Sequence, residues 1–108
     1  MYTVVEQTLL RIFLGEGDRA DSRPLFEALV LRARELGLAG ATVLRGPLGY
    51  GHASRLHTAK ILRLSEDLPV VVEIVDEDAR IEALLATTSA WLAHQLVTLE
   101  RVRVVRFS

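Results

Sequence analysis

Residues 44–60, LRGPLGYGHASRLHTAK, gather most of the side chains that could do chemistry in this chain. Gly46, Gly49 and Gly51 let the backbone turn its amide hydrogens toward an anion, and Arg45, Arg55 and Lys60 supply positive charge, so a phosphate-like anion is one reading. The other is a strand-connecting loop that needs glycine for its turns. There is no Gly-Lys-Ser/Thr run and no strand-to-helix step at the glycines, which removes a Walker loop and a dinucleotide fingerprint. Tyr50 is an aromatic suited to stacking on a base or entering a partner.

His52 and His57 raise the question of a metal. A spacing of five puts them on no common helix or strand face, and no acid lies between them, so only a folded loop or a neighbouring subunit would unite them. No metal site is assigned. Ser54 or Ser65 with His57 and Asp67 offers the letters of a hydrolytic triad, but a triad is a geometry, not a composition. The chain is read as non-enzymatic.

The elements that hold this stretch follow from periodicity. In TLLRIFL, residues 8–14, Thr8, Leu10, Ile12 and Leu14 share one strand face and Leu9, Arg11 and Phe13 the other. The turn GEGDRADS follows, with Asp18 or Arg19 available for an intersubunit pair with Arg45. Asp21 or Ser22 is the expected cap of a helix containing Pro24 early and running to about Leu36. Leu25, Leu29, Ala33 and Leu36 form its apolar stripe, widened by Phe26 and Val30, and Gly37 supplies a left-handed stop.

A short strand, ATVLR, precedes the glycine-rich stretch, and PVVVEIV, Pro69 to Val75, is a third strand with β-branched residues on both faces. Asp76 or Asp78 is the expected cap of a second helix bearing Ile81, Leu84 and Leu85 and ending between Thr87 and His94. LVTLERVRVV closes as a fourth strand, Val102 and Val104 pointing one way, Arg101 and Arg103 the other.

The order β-α-β-β-α-β implies an α+β, ferredoxin-like plan: a four-stranded antiparallel sheet with two helices on one face, in a single domain spanning residues 1–108. Val70, Val72 and Ile74 face one side and Val71 and Val75 the other, so the uncovered face is apolar and self-association is its natural remedy.

Composition bounds the rest. The chain has 108 residues, half of them apolar, and a formal net charge of -1. Nothing here suggests a nucleic-acid partner. The absence of cysteine removes disulfides, thiolate zinc and a cysteine nucleophile, and fits a reducing compartment. MYTVVEQTLL lacks a basic start and a signal-length apolar core, and no apolar run reaches the ~20 residues of a membrane span. A cytoplasmic location is expected.

LRIFLGEGDRADSRPLFEALVLRARELGLAGATVLRGPLGYG followed by LHTAKILRLSEDLPVVVEIVD resembles the small bacterial and archaeal proteins called domain of unknown function 190, from about Leu9 to Val105. The GATVLRG, HTA and LSEDLPVVVEIVD blocks carry the likeness. It implies a fold similar to the PII signalling proteins: a trimer whose loop between the second and third strands senses ligands or touches a partner. PII proteins also hold nucleotide phosphates on a glycine- and lysine-bearing loop before the last strand; here that region, ATTSAWLAHQL, has neither residue. The arginines of RVR, Arg101 and Arg103, resemble a phosphate-directed pair on the last PII strand.

The resulting expectation is a PII-like regulatory homotrimer that binds a small anion, an adenine nucleotide among the candidates, in clefts between subunits. Arg45, Gly46, Gly49, Tyr50 and Gly51 form one group of candidate ligand residues; Arg55, His57, Arg101 and Arg103 complete it. The loop at 46–58 would signal to a partner such as a membrane transporter or channel. No cofactor is named by the residues. A metal-binding or metal-tolerance trimer and a purely structural assembly module are the alternatives.

Overall fold

β1 (Tyr2–Gly15) is one of the two inner strands of a four-stranded antiparallel sheet. The computed structural model describes residues 1–50, 56–58 and 68–108. After β1 come a two-residue pair of strands, β2 (Arg19–Ala20) and β3 (Arg23–Pro24), then α1 (Leu25–Glu35) and β4 (Thr42–Arg45). β5 (Leu48–Tyr50) and β6 (Leu56–Thr58) pair with each other, and β7 (Pro69–Asp76), α2 (Asp78–Thr88) and β8 (Leu96–Phe107) complete the described chain. The main sheet runs β4-β7-β1-β8.

Alternation decides which face is covered. Leu10, Ile12 and Leu14 on β1 lie opposite Ile74, Val72 and Val70 on β7, and all six are buried. The same core takes Leu25, Ala28, Leu29 and Ala33 from α1 and Ile81 and Leu84 from α2, so both helices lie on one face. Full burial of a leucine, isoleucine or valine side chain contributes about 1.5–3 kcal/mol, which makes this face the main source of stability. On the other face Leu44 is 48% and Leu96 61% exposed. The expected ferredoxin-like order and the bare apolar face are both present.

Several details differ from the sequence reading. β1 begins at Tyr2 rather than residue 8, because β8 pairs with it as far as Tyr2↔Phe107 while β7 stops at Thr8↔Asp76. The first six residues of the strand therefore form a two-stranded ribbon with β8, ending in an edge-on contact between Tyr2 and Phe107 at 6.0 Å. Asp21 and Ser22 do not cap α1. They form the tip of the β2–β3 hairpin, with Asp21 at φ +56°, and Pro24 occupies the cap position without a side-chain hydrogen bond. The Leu25 amide donates instead to the Asp18 carbonyl at 2.8 Å.

The end of α1 is as the glycine predicts. Gly37 has φ +79°, its amide donates to the Arg34 carbonyl, and the Leu38 amide donates back to Ala33, the paired bonds of a Schellman stop. At α2 neither expected aspartate caps. Glu77 is the cap residue and has no side-chain bond to the helix. Asp76, only 5% exposed, accepts the Ala39 amide at 2.9 Å and the Glu77 amide at 2.7 Å, tying the α1–β4 connection to the start of α2. Asp78 turns to the sheet.

Candidate functional site

The root of the glycine-rich stretch is a convergence of three segments. Arg45, the last residue of β4, lies opposite Val70, and the next amide, that of Gly46, donates to the Pro69 carbonyl at 2.8 Å. The Glu16 amide donates to the Leu68 carbonyl at 2.8 Å, bringing the turn after β1 to the same place. Glu16 then holds Arg45 through Nε and Nη2, each at 2.7 Å, and the guanidinium lies 5.6 Å from the centre of the Phe26 ring. Arg45 is thus an oriented cation at the loop root. Its partner is Glu16 of the same chain, whereas Asp18 accepts the Gly15 amide and Arg19 donates to the Ser22 carbonyl.

Gly46 and Gly49 have a packing role that glycine spacing alone does not reveal. A Cβ on Gly46 would stand 3.1 Å from Pro69 Cγ, and one on Gly49 3.3 Å from the same atom. Both glycines therefore seat the proline ring. Because Gly46 donates to Pro69, its amide is not directed at an anion, which narrows the cradle reading. Beyond this seat, β5 and β6 pair Leu48↔Thr58, Gly49↔His57 and Tyr50↔Leu56, placing His57 opposite Gly49. Gly51, His52, Arg55 and Lys60 lie outside the described residues, as do Ser54, Ser65 and Asp67.

Arg101 and Arg103 stand elsewhere. They lie opposite Thr8 and Glu6 on β1, while the loop root lies beyond Gly15↔Pro69. Arg45 is level with Leu14 through Val70, and the six steps from Leu14 back to Thr8 span about 20 Å of strand, so the two arginine groups lie far apart on one sheet. A single protomer does not bring them together.

Arg101 is held by acids. Its Nη1 donates to both carboxylate oxygens of Asp78 at 2.9 Å and to the Thr8 hydroxyl at 3.4 Å, and its Nη2 lies 3.5 Å from Glu6 Oε1. The Thr8 hydroxyl in turn donates to Asp78. That hydroxyl, and then the charge of Arg101, holds the Asp78 carboxyl below its ordinary value. Arg103 is exposed beside this cluster.

Three features escaped sequence reasoning. Glu16, Glu6 and Asp78 are the partners of the candidate arginines, and only strand register reveals them. On the open face Arg11 pairs with Glu73 at 2.9 Å and Glu100 at 3.0 Å; the Glu73 bond chiefly raises the arginine above its ordinary value. Between the β2–β3 hairpin and α1 is a cleft of about 290 Å³ lined in part by Asp21, Arg23, Glu35 and Trp91. Its Arg32 sits 4.8 Å from the Trp91 ring centre and donates to the Thr87 carbonyl at 2.9 Å.

The segment before β8 agrees with its lack of glycine and lysine. The amides of Trp91, Leu92 and Gln95 donate to Thr88, Ser89 and Leu92 carbonyls, so these donors serve local turns. Among the described residues no group of three or more His, Asp or Glu is placed to hold a metal ion, and no helix is long and apolar enough to cross a membrane.

Comparison with known proteins places this geometry. The DUF190 family, described as Uncharacterized ACR, matches residues 7–104. A UPF0166 protein of Aquifex aeolicus is 41% identical over 102 residues, covering 94% of this chain and 96% of that protein. Another UPF0166 protein, from Methanocaldococcus jannaschii, is 33% identical over 82 residues, 76% of this chain and 75% of that protein. Among solved structures, CPII, a nitrogen regulatory PII-like protein from Thiomonas intermedia K12 bound to ADP, AMP and bicarbonate, superposes with a TM-score of 0.71. Identity there is 15%, over 94% of this chain and 91% of that one, so this likeness concerns the fold. The chain belongs to the DUF190 family and has a PII-like, ferredoxin-like fold.

Proposed function

We propose that this protein is a PII-like regulator without catalytic activity: a cytoplasmic homotrimer that binds a small anion in clefts between subunits and signals through residues 46–58. The observation that carries this reading is the separation of its cations. Arg45 at the loop root and Arg101 with Arg103 midway along the β1–β8 pairing lie far apart on the sheet, and a neighbouring subunit can supply to each what its own chain cannot. The bare face with exposed Leu44 and Leu96 supplies the apolar area for such an assembly.

An adenine nucleotide is the leading ligand. CPII, of similar fold, is bound to ADP and AMP, and the oriented guanidinium of Arg45 and the exposed Arg103 suit phosphate oxygens. Tyr50 and His57, on adjoining strands of the loop ribbon, are assigned to the ligand or partner surface together with Gly51 and Arg55. Phosphates here would rest on arginine rather than on a glycine- and lysine-bearing loop before β8. Occupancy must favour one arrangement of residues 46–58 over another to signal, and the proposed receiver is a membrane transporter or channel.

The test pairs two measurements on the full chain. Light scattering is expected to give the mass of a trimer, and calorimetric titration with ATP, ADP and AMP is expected to give heat with at least one. A stable monomer removes the shared cleft; silence with every nucleotide removes the nucleotide assignment.

A further inference from the structure

The cation assigned to the ligand at the β8 end is already occupied. Arg101 places one guanidinium nitrogen 2.9 Å from both oxygens of Asp78 and the other 3.5 Å from Glu6. A guanidinium held in this way has its charge matched before any ligand arrives, and an incoming phosphate must replace a carboxylate rather than find a free cation. Asp78 does not depend on Arg101 alone, since it accepts the Thr8 hydroxyl and begins α2, where negative charge is favoured. Releasing the arginine leaves Asp78 supported.

We propose that Asp78 is an internal competitor for Arg101, a latch that sets the anion concentration at which the β8 end of the cleft becomes occupied. In the closed state Arg101 bridges the first residue of α2 to Thr8 and Glu6 of β1. In the open state Arg101 turns to the phosphate, and the start of α2 loses its ionic tie to the β1–β8 ribbon. Anion binding thereby changes how α2 is fastened to the sheet, a second output apart from the loop at 46–58. This inference rests on the anion-binding reading and adds a residue to it that is not itself a ligand contact.

The experiment titrates ADP and, separately, inorganic tripolyphosphate into the wild-type protein, Asp78→Asn, Glu82→Gln and the double variant Asp78→Asn/Arg101→Ala. Glu82 is an exposed acid on the same helix, so Glu82→Gln measures the general effect of removing one negative charge. The latch predicts that D78N binds about two- to fivefold more tightly than wild type, the range an exposed ion pair supports, and more tightly than E82Q. The gain disappears in the double variant. Binding by D78N where wild type shows none is the stronger form of the same result. Wild-type binding that D78N leaves unchanged, or that E82Q improves equally, overturns the latch and leaves the anion site standing. Absence of binding by every protein to both anions overturns the latch and the β8 anion site together, and tripolyphosphate binding without ADP binding removes only the nucleotide assignment.

Discussion

Chains carrying Arg45→Ala and chains carrying Arg101→Ala test the shared cleft through complementation. Along β1, Arg45 stands level with Leu14 and Arg101 with Thr8, a separation of six residue steps or about 20 Å, and the register of β4, β7, β1 and β8 fixes it. In the proposed trimer each site combines the Arg45 end of one chain with the Arg101 end of the next. Either variant alone therefore lacks half of every site. Loss of one arginine–phosphate contact, a charge-assisted bond of about 1.5–3 kcal/mol, should weaken binding about 10- to 100-fold. When equal amounts of the two variants are unfolded together and refolded, a site is intact only where an R101A chain presents Arg45 to an R45A chain presenting Arg101. With random assembly into a closed ring that happens at about one site in four. Titration of the mixture should then show about a quarter of the wild-type stoichiometry at wild-type affinity. A mixture that assembles normally and recovers no sites refutes the shared cleft, as would unchanged binding by each variant alone.

Asp76→Ala removes the buried carboxylate that accepts the Ala39 and Glu77 amides; both of those residues are exposed, so water can replace the acceptor, and the loss in urea unfolding should be about 1–3 kcal/mol, the worth of hydrogen bonds to a charged group. Leu96→Glu puts a charge on the bare face and should shift the light-scattering mass toward the monomer, with the far-ultraviolet spectrum unchanged. Gly46→Val presses a branched side chain onto Pro69, where a Cβ alone already meets Cγ at 3.1 Å, and should cost about 1–3 kcal/mol in the same unfolding assay. The lowered Asp78 carboxyl means that the unfolded chain binds more protons there than the folded chain. Its stabilising contribution is present above the unfolded value near 3.8 and is lost as pH falls through the lower folded value, so acid unfolding of D78N should lack that component below about pH 4.

The sheet was legible because its evidence is local and repeated. Leu10, Ile12 and Leu14 alternate on one strand as Val70, Val72 and Ile74 do on another, and the structure sets them face to face. Gly37 was legible for a similar reason, a left-handed residue just after an apolar stripe. The capping aspartates were not, because an aspartate near a helix start has several acceptors' tasks open to it. Asp76 is drawn to the Ala39 amide, Asp78 to Thr8 and Arg101, and Asp21 to a hairpin tip. The candidate site was half legible. Residue type identifies Arg45 and Arg101 as cations, but their partners Glu16 and Asp78 lie 29 and 23 positions away in sequence and are chosen by register.

The charges on the bare face bear on how it is covered. Arg11 occupies the inner strand β1 and pairs on one side with Glu73 of β7 and on the other with Glu100 of β8. One positive charge meets two negative ones. The Glu73 side chain is 30% exposed and that of Glu100 61%, so the set runs from half-buried to well hydrated. A neighbouring copy that covers Glu73 and Arg11 takes in a matched pair, whereas burying Glu100 as well would enclose an unmatched carboxylate at considerable cost. The favourable arrangement therefore covers the β7 side of Arg11 and leaves the β8 side nearer to water. That asymmetry suits a head-to-tail contact, in which one subunit presents its covered side and the next its rim, and such a contact closes into a ring when its rotation permits. Arg101, opposite Thr8 and bonded to Asp78 of α2, points to the helix side of the sheet, so covering the bare face of the proposed trimer does not bury it.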